Sequence, residues 1–145
     1  MEREGVHYRF ISERDFTSMR EKGEFLEWAK VHGNHYGTPR KPVEEALTTG
    51  RDAILEIDVQ GATQVKRHMP DACLIFIESP TVADLQERLY RRRTEPDVEI
   101  ERRMADAYEE LRAKNAFDGV IVNAVVGDAV EEVLQLMDTI KRENP

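Results

Sequence analysis

Residues 53–59 read AILEIDV, an apolar run interrupted only by Glu56 and Asp58. Its length and its branched residues predict a buried strand. Two similar runs follow, ACLIFI (72–77) and GVIVN (119–123), with helical patterns between and after them. Strands that alternate with helices predict an α/β fold built on a parallel sheet. Within the first run, alternation puts Glu56 and Asp58 on one face, with Asp58 near the carboxyl end. Ligands of open parallel sheets gather at that edge. Two acids buried there need a cation, N–H donors or water, because an unpaired buried charge is costly. A strand end that reaches solvent explains the same pattern without any ligand.

The helices carry start and stop signals. Ser12 with Asp15 resembles a capping box ahead of Phe16 and Met19, and Gly23 can end that helix. Thr38-Pro39 can open a helix that Gly50 closes. Ser79-Pro80 opens another, with Val82, Leu85 and Leu89 on one face. Ile100, Met104, Ala107 and Leu111 stripe a long charged helix. Asp128 with Glu131 caps a last one that buries Val130, Val133, Leu134, Met137 and Ile140. These stripes read as core.

Composition narrows the partners. The chain has 145 residues, 40% hydrophobic and 34% charged, which suits one domain. A net charge of −8 argues against broad electrostatic binding to nucleic acid or anionic membrane. The single cysteine, Cys73, cannot form an internal disulfide. No apolar run is long enough to span a membrane, and MEREGVHYRF lacks the apolar core of a signal peptide. A soluble, cytoplasmic protein is expected. His7, His32, His35 and His68 lack ligand spacing, so they read as structural or surface groups, and no metal site is expected.

Two segments carry more chemistry than structure alone requires. GNHYGTP (33–39) reads as a turn, yet a turn needs only Gly, Asn and Pro. Just before it, EFLEW wedges Glu27 between Leu26 and Trp28. Glu27 can accept two N–H donors from a planar edge, and Thr38 can donate to a carbonyl. Tyr8 and Tyr36 offer phenolic donors for an anion, although tyrosines beside glycine also serve as turn packing. The second segment, RLYRRRTEPDVEIERR (88–103), concentrates arginines in an acidic chain. Guanidinium groups suit phosphate. A solvated face of Arg–Glu pairs is the plainer alternative.

Taken in order, GVHYRF, FLEWAKVHGNHYGT, ILEIDVQG, RLYRRRTE and VIVN resemble guanylate kinase, a nucleoside monophosphate kinase. The resemblance runs from about Gly5 to near the C-terminus. It implies a P-loop NTPase-type parallel sheet with flanking helices, a GMP-binding subdomain at roughly 5–38 and a lid at roughly 88–103, within one partial domain over 1–145. It implies transfer of the terminal phosphoryl group of ATP, with Mg²⁺, to GMP, and a place in purine nucleotide metabolism. Glu27 then matches the acid that reads the guanine N1–H and 2-amino edge, and Thr38 the hydroxyl that meets O6. Asp58 matches a second acid at the GMP site, and Gly37 lies in the same guanine-reading stretch. Tyr8 and Tyr36 match the tyrosines on the GMP phosphate. Arg88, Arg92 and Arg103 match the catalytic arginines that close on the transferring phosphates, and Asn123 lies near the adenine side. GMP and ATP are the implied partners, and homo-oligomerisation is left open.

The chain departs from that pattern in places. Its eight glycines include no two that are five apart, so the 145 residues hold no G-x-x-x-x-G-K-[ST] phosphate loop. The family's first sheet strand is also expected to be absent. Glu56 stands where the family has Asp, and Arg93 where its lid has Gly. The expectation is an enzyme of this family whose given residues are inactive alone. The alternative is a non-catalytic module of the same type that binds a guanine nucleotide or a phosphoprotein.

Overall fold

A computed structural model describes residues 8–31, 33–91 and 97–143. The chain forms two compact units, Met1–Ala72 and Cys73–Pro145. The segment expected to bind GMP (5–38) falls within the first unit.

The first unit is built on an antiparallel hairpin of β1 (Phe25–Val31) and β2 (Asn34–Pro39). GNHYGTP is therefore mostly strand, contrary to the expectation of a turn. Only its first residue, Gly33, turns, with a φ of 85° that suits glycine. The strand was masked because a bulge breaks the alternation of β1. Phe25 pairs with Pro39 and Glu27 with Thr38, which leaves Leu26 as the extra residue. The bulge sets the two faces of the hairpin. One face carries Glu27, Ala29, Tyr36 and Thr38. The other carries Phe25, Trp28, His35 and Gly37.

The second face is apolar and lies under α1 (Glu13–Glu21). Phe16 of that helix sits 4.6 Å from the Phe25 ring, stacks on His35 at 5.2 Å and meets Trp28 edge-on at 6.5 Å. The Arg20 guanidinium lies 5.0 Å from the Trp28 ring centroid. α1 starts as the capping signal predicts. Ser12 Oγ accepts from the Asp15 N–H at 3.0 Å and donates to its carboxylate at 2.7 Å. α2 (Arg40–Thr48) follows Pro39, and Gly50 turns the chain beyond it at φ 76°.

Residues 51–58 form no ladder with any described strand, so the first expected strand is corrected. The alternation itself holds: Ala53, Leu55 and Ile57 are half-buried, whereas Ile54, Glu56 and Asp58 are exposed. A strand is defined by its paired neighbour, and side-chain pattern cannot supply one. α3 (Val59–His68) begins directly after it, capped by Asp58.

α3 attaches to β1 through the backbone edge that β2 does not use. Gln64 Oε1 accepts from the Trp28 N–H at 3.1 Å, and Gln64 Nε2 donates to the Trp28 carbonyl at 3.0 Å. His68 Nδ1 lies 2.8 Å from the Leu26 carbonyl, which can only accept, so Nδ1 carries the proton. Ala62 and Val65 of the same helix are buried, and Leu26 is 0% exposed.

The second unit holds a parallel pair, β3 (Ile75–Glu78) and β4 (Gly119–Val122), in the register Ile75 to Gly119 and Glu78 to Val122. β3 begins three residues later than expected. Leu74 is instead fixed by Asp118, whose Oδ2 accepts its N–H at 2.8 Å. Between the strands run α4 (Val82–Arg91), α5 (Asp97–Ala113) and a short 3₁₀ turn, Lys114–Ala116. Thr81, not Ser79, caps α4 by accepting from the Asp84 N–H. The last helix, α6 (Val126–Glu143), begins before Asp128, which serves as a first-turn acid. Phe76, Ile121 and Ala129 are buried, and Phe117 meets Phe76 edge-on at 5.3 Å. A Cβ on Gly119 would stand 3.1 Å from Leu136, so α6 lies close on β4. Val130 and Leu134 are exposed, contrary to expectation, and Ile77, Val120 and Val122 are exposed on the sheet. The buried edge of α6 is shifted to Ala129, Val133, Leu136, Met137 and Ile140.

The clasp of Gln64 on Trp28 has a measurable weight. Gln64→Ala removes two part-buried hydrogen bonds and should cost about 1–3 kcal/mol of stability. Amide hydrogen exchange should speed at Trp28 more than at Ala29. Gln64→Glu should be no better, because it sets a carboxylate oxygen against the Trp28 carbonyl. Unchanged exchange at Trp28 in both variants would show that the clasp holds nothing.

Candidate functional site

The polar face of the hairpin holds the strongest constellation of chemical groups. Register places Glu27 directly opposite Thr38. Thr38 Oγ1 donates to Glu27 Oε1 at 2.6 Å. Glu27 is 8% exposed and is the buried charged residue among the described core. A carboxylate in that position needs donors, and Thr38 supplies one. A hydroxyl has a single proton. While it points at Glu27, Thr38 orients the acid, and donating to a carbonyl oxygen requires the hydroxyl to rotate.

Two residues along β2, Tyr36 shares that face with Thr38. Tyr8 packs against it edge-to-face at 5.2 Å between ring centroids. The two phenols are thus brought together, and Tyr8 is exposed. Gly37 faces the other way. A Cβ there would stand 2.9 Å from Phe25 Cδ1 and 3.1 Å from the Glu27 carbonyl oxygen. The glycine lets the aromatic ring lie flat on the strand, which keeps the hairpin thin behind Glu27.

Asp58 reaches the same region from the N-terminus of α3. Its Oδ1 accepts from the Gly61 N–H at 2.7 Å. A Cβ on Gly61 would stand 3.2 Å from Glu27 Oε2 and 3.3 Å from Asp58 Oδ1, so both carboxylates border that glycine. The positive end of the helix dipole favours acids placed there. Glu27, Thr38 and Asp58 therefore form one cluster of acceptors and a hydroxyl, with its backbone held by Gln64 and His68. Sequence reasoning missed Gly61 and Gln64 and read His68 as a structural or surface group. Their spacing, three and then four residues, puts all three on one helix face, and that was the available signal.

The remaining candidates belong to the second unit. Arg88 lies on α4. Arg103 lies on α5, half-buried, and the two helices pack together. Arg92 and Arg93 lie outside the described residues, as do His7, His32 and residues 92–96 of the expected lid. Asn123 follows β4, and its N–H donates to the Glu78 carbonyl at 2.8 Å. A hollow of about 530 Å³ opens at the end of β3, lined by Glu78, Thr81, Tyr108, Arg112 and Lys114. Lys114 Nζ pairs there with Glu78 at 2.9 Å. Among the described residues no group of three or more His, Cys, Asp or Glu could hold a metal ion. No described helix is long and apolar enough to cross a membrane.

The family model described as guanylate kinase matches residues 1–140. The guanylate kinase of Streptomyces coelicolor is 46% identical over 96% of this chain and 71% of its own length. That of Carboxydothermus hydrogenoformans is 46% identical over 90% and 64%. That of Helicobacter pylori is 42% identical over 94% and 66%. The chain thus spans about two thirds of the length of the relatives it matches. A crystal structure of guanylate kinase from Anaplasma phagocytophilum superposes with a TM-score of 0.76 at 30% identity, over 95% of this chain and 67% of that one. With a family match across nearly its whole length, this chain belongs to the guanylate kinase family.

Proposed function

We propose that the hairpin and the start of α3 form a guanine reader for GMP, in an enzyme that moves the terminal phosphoryl group of ATP to GMP. The observation that carries this reading is the hydrogen bond from Thr38 to the buried Glu27. Guanine presents adjacent N1–H and N2–H donors, and a carboxylate held in one orientation complements that edge. Adenine presents a lone pair at N1, so Glu27 would face acceptor with acceptor. Sites built around buried polar groups reject the wrong edge strongly, because those groups are left unpaired. Asp58 adds a second acceptor, and a rotated Thr38 hydroxyl meets O6. Tyr8 and Tyr36 donate to the GMP phosphate.

In this reading residues 5–38 are the GMP-binding segment and 88–103 the lid. Arg88, Arg92 and Arg103 neutralise charge on the transferring phosphoryl group. Asn123 lies by the adenine of ATP, which arrives with Mg²⁺ as co-substrate. A cytoplasmic setting fits the relatives' chemistry. The 145 residues contain no G-x-x-x-x-G-K-[ST], the backbone nest that fixes ATP phosphates. Lid arginines attract phosphate but do not replace such a nest. These residues taken alone therefore bind guanine nucleotide better than they turn it over. The alternative reading, a non-catalytic module of this type that binds a guanine nucleotide or a phosphoprotein, keeps the polar face of the hairpin and drops the phosphoryl transfer.

Two measurements test these readings. In calorimetric titration GMP should bind more tightly than AMP, and Glu27→Ala should cost about 2–3 kcal/mol of GMP binding, the scale for hydrogen bonds to a charged group. Equal affinity for GMP and AMP would remove the guanine assignment. In a coupled assay of ADP release, the 145-residue chain should turn over GMP far more slowly than the Streptomyces coelicolor enzyme assayed beside it. Turnover within tenfold would mean that other groups hold ATP, and would dismiss the non-catalytic reading.

A further inference from the structure

Gly61 is the third residue of α3, a position where a side chain is ordinarily welcome. Glycine is the poorest helix former after proline, so its presence in the helix asks for a reason. Backbone conformation does not provide one, since the positive-φ glycines are Gly23, Gly33 and Gly50. Its N–H donates to Asp58, but any residue except proline would do the same. Space does provide a reason. A Cβ at residue 61 would stand 3.2 Å from Glu27 Oε2, 3.2 Å from Ile57 Cβ and 3.3 Å from Asp58 Oδ1. All three contacts are tighter than ordinary van der Waals separation, so a neighbour would have to give way.

The three neighbours differ in how easily they move. Ile57 Cβ is bonded to backbone and branched. Asp58 Oδ1 is pinned at 2.7 Å by the cap bond that starts the helix. Glu27 Oε2 is the far end of a longer side chain, and among the described residues it is the other oxygen, Oε1, that Thr38 holds. Glu27 is therefore the group that yields. A rotation that frees Oε2 also moves Oε1 away from the Thr38 hydroxyl.

We propose that Gly61 is a positioning residue for base selectivity: its missing Cβ lets Glu27 keep both oxygens in the orientation that matches the guanine edge. The inference rests on the guanine reading given above, and it adds a residue that acts through Glu27. Gly61 acts without touching the nucleotide. Alanine at this position should therefore spoil recognition of guanine without weakening the binding of adenine, which meets Glu27 acceptor to acceptor.

The test combines nucleotide titration with a stability cycle on the 145-residue chain. Gly61→Ala should lower GMP affinity at least tenfold without lowering AMP affinity. Alanine should lower Tm in the presence of Glu27 and raise it in a Glu27→Ala background, where helix propensity acts without the clash. An unchanged ratio of GMP to AMP affinity in folded Gly61→Ala overturns the proposal. So does an equal Tm shift in both backgrounds, which would mean that Glu27 is not the obstacle. If Gly61→Ala does not fold, folding of the double variant supports the proposal and its failure to fold overturns it. If the unaltered chain shows no preference for GMP, the guanine reading fails, and the Tm cycle still decides whether Gly61 holds Glu27.

Discussion

The hydrogen bonds between α3 and the open edge of β1 are the constraint on which the first unit depends. A two-stranded hairpin is marginal by itself, and its outer edge carries backbone groups that need partners. Gln64 supplies both a donor and an acceptor to Trp28, as a neighbouring strand would. His68 donates to Leu26 two residues earlier. Glu27 sits between these two fixed points. Its backbone is thereby held from one side, while Thr38 holds its side chain across the hairpin. The proposed guanine reader and the support of an edge strand thus share one piece of structure.

Local signals in the sequence were read well, because their causes lie within a few residues. Ser12 and Asp15 are three apart and cap α1 as expected. GVIVN forms β4 almost to the residue. The hairpin was hidden by the bulge at Leu26, which shifts the side-chain period at the start of β1. The run at 53–58 alternates as a strand does, yet ladder pairing depends on a neighbour that its own residues do not encode. On α6 the apolar stripe was recognised, but its buried edge is turned to Ala129 and Leu136, because Gly119 admits the helix closely there.

The candidate site shows the same division. Glu27, Thr38 and Asp58 stood out as polar groups in apolar or glycine-rich surroundings, and the motif resemblance gave them roles. What orients them was not legible. The bond between Gln64 and Trp28 spans 36 residues and that between His68 and Leu26 spans 42. Gly61 was equally hidden, since a small residue announces its purpose only when the atoms around it are known. Gly37, expected among the GMP-binding residues, has its Cβ direction filled by the Phe25 ring.

The aromatic packing of the hairpin has a spectroscopic consequence. Trp28 is the only tryptophan in the sequence, and it lies against Phe16, His35 and Arg20 in the first unit. Intrinsic tryptophan emission therefore reports the surroundings of β1 alone. The two longest helices, α5 and α6, belong to the second unit, so far-ultraviolet dichroism weighs that unit more heavily. The two signals weigh the two units differently, since the dichroism covers both and the tryptophan only the first. Coincident transitions would mean that the halves unfold as one cooperative body, and separated transitions that each half melts on its own.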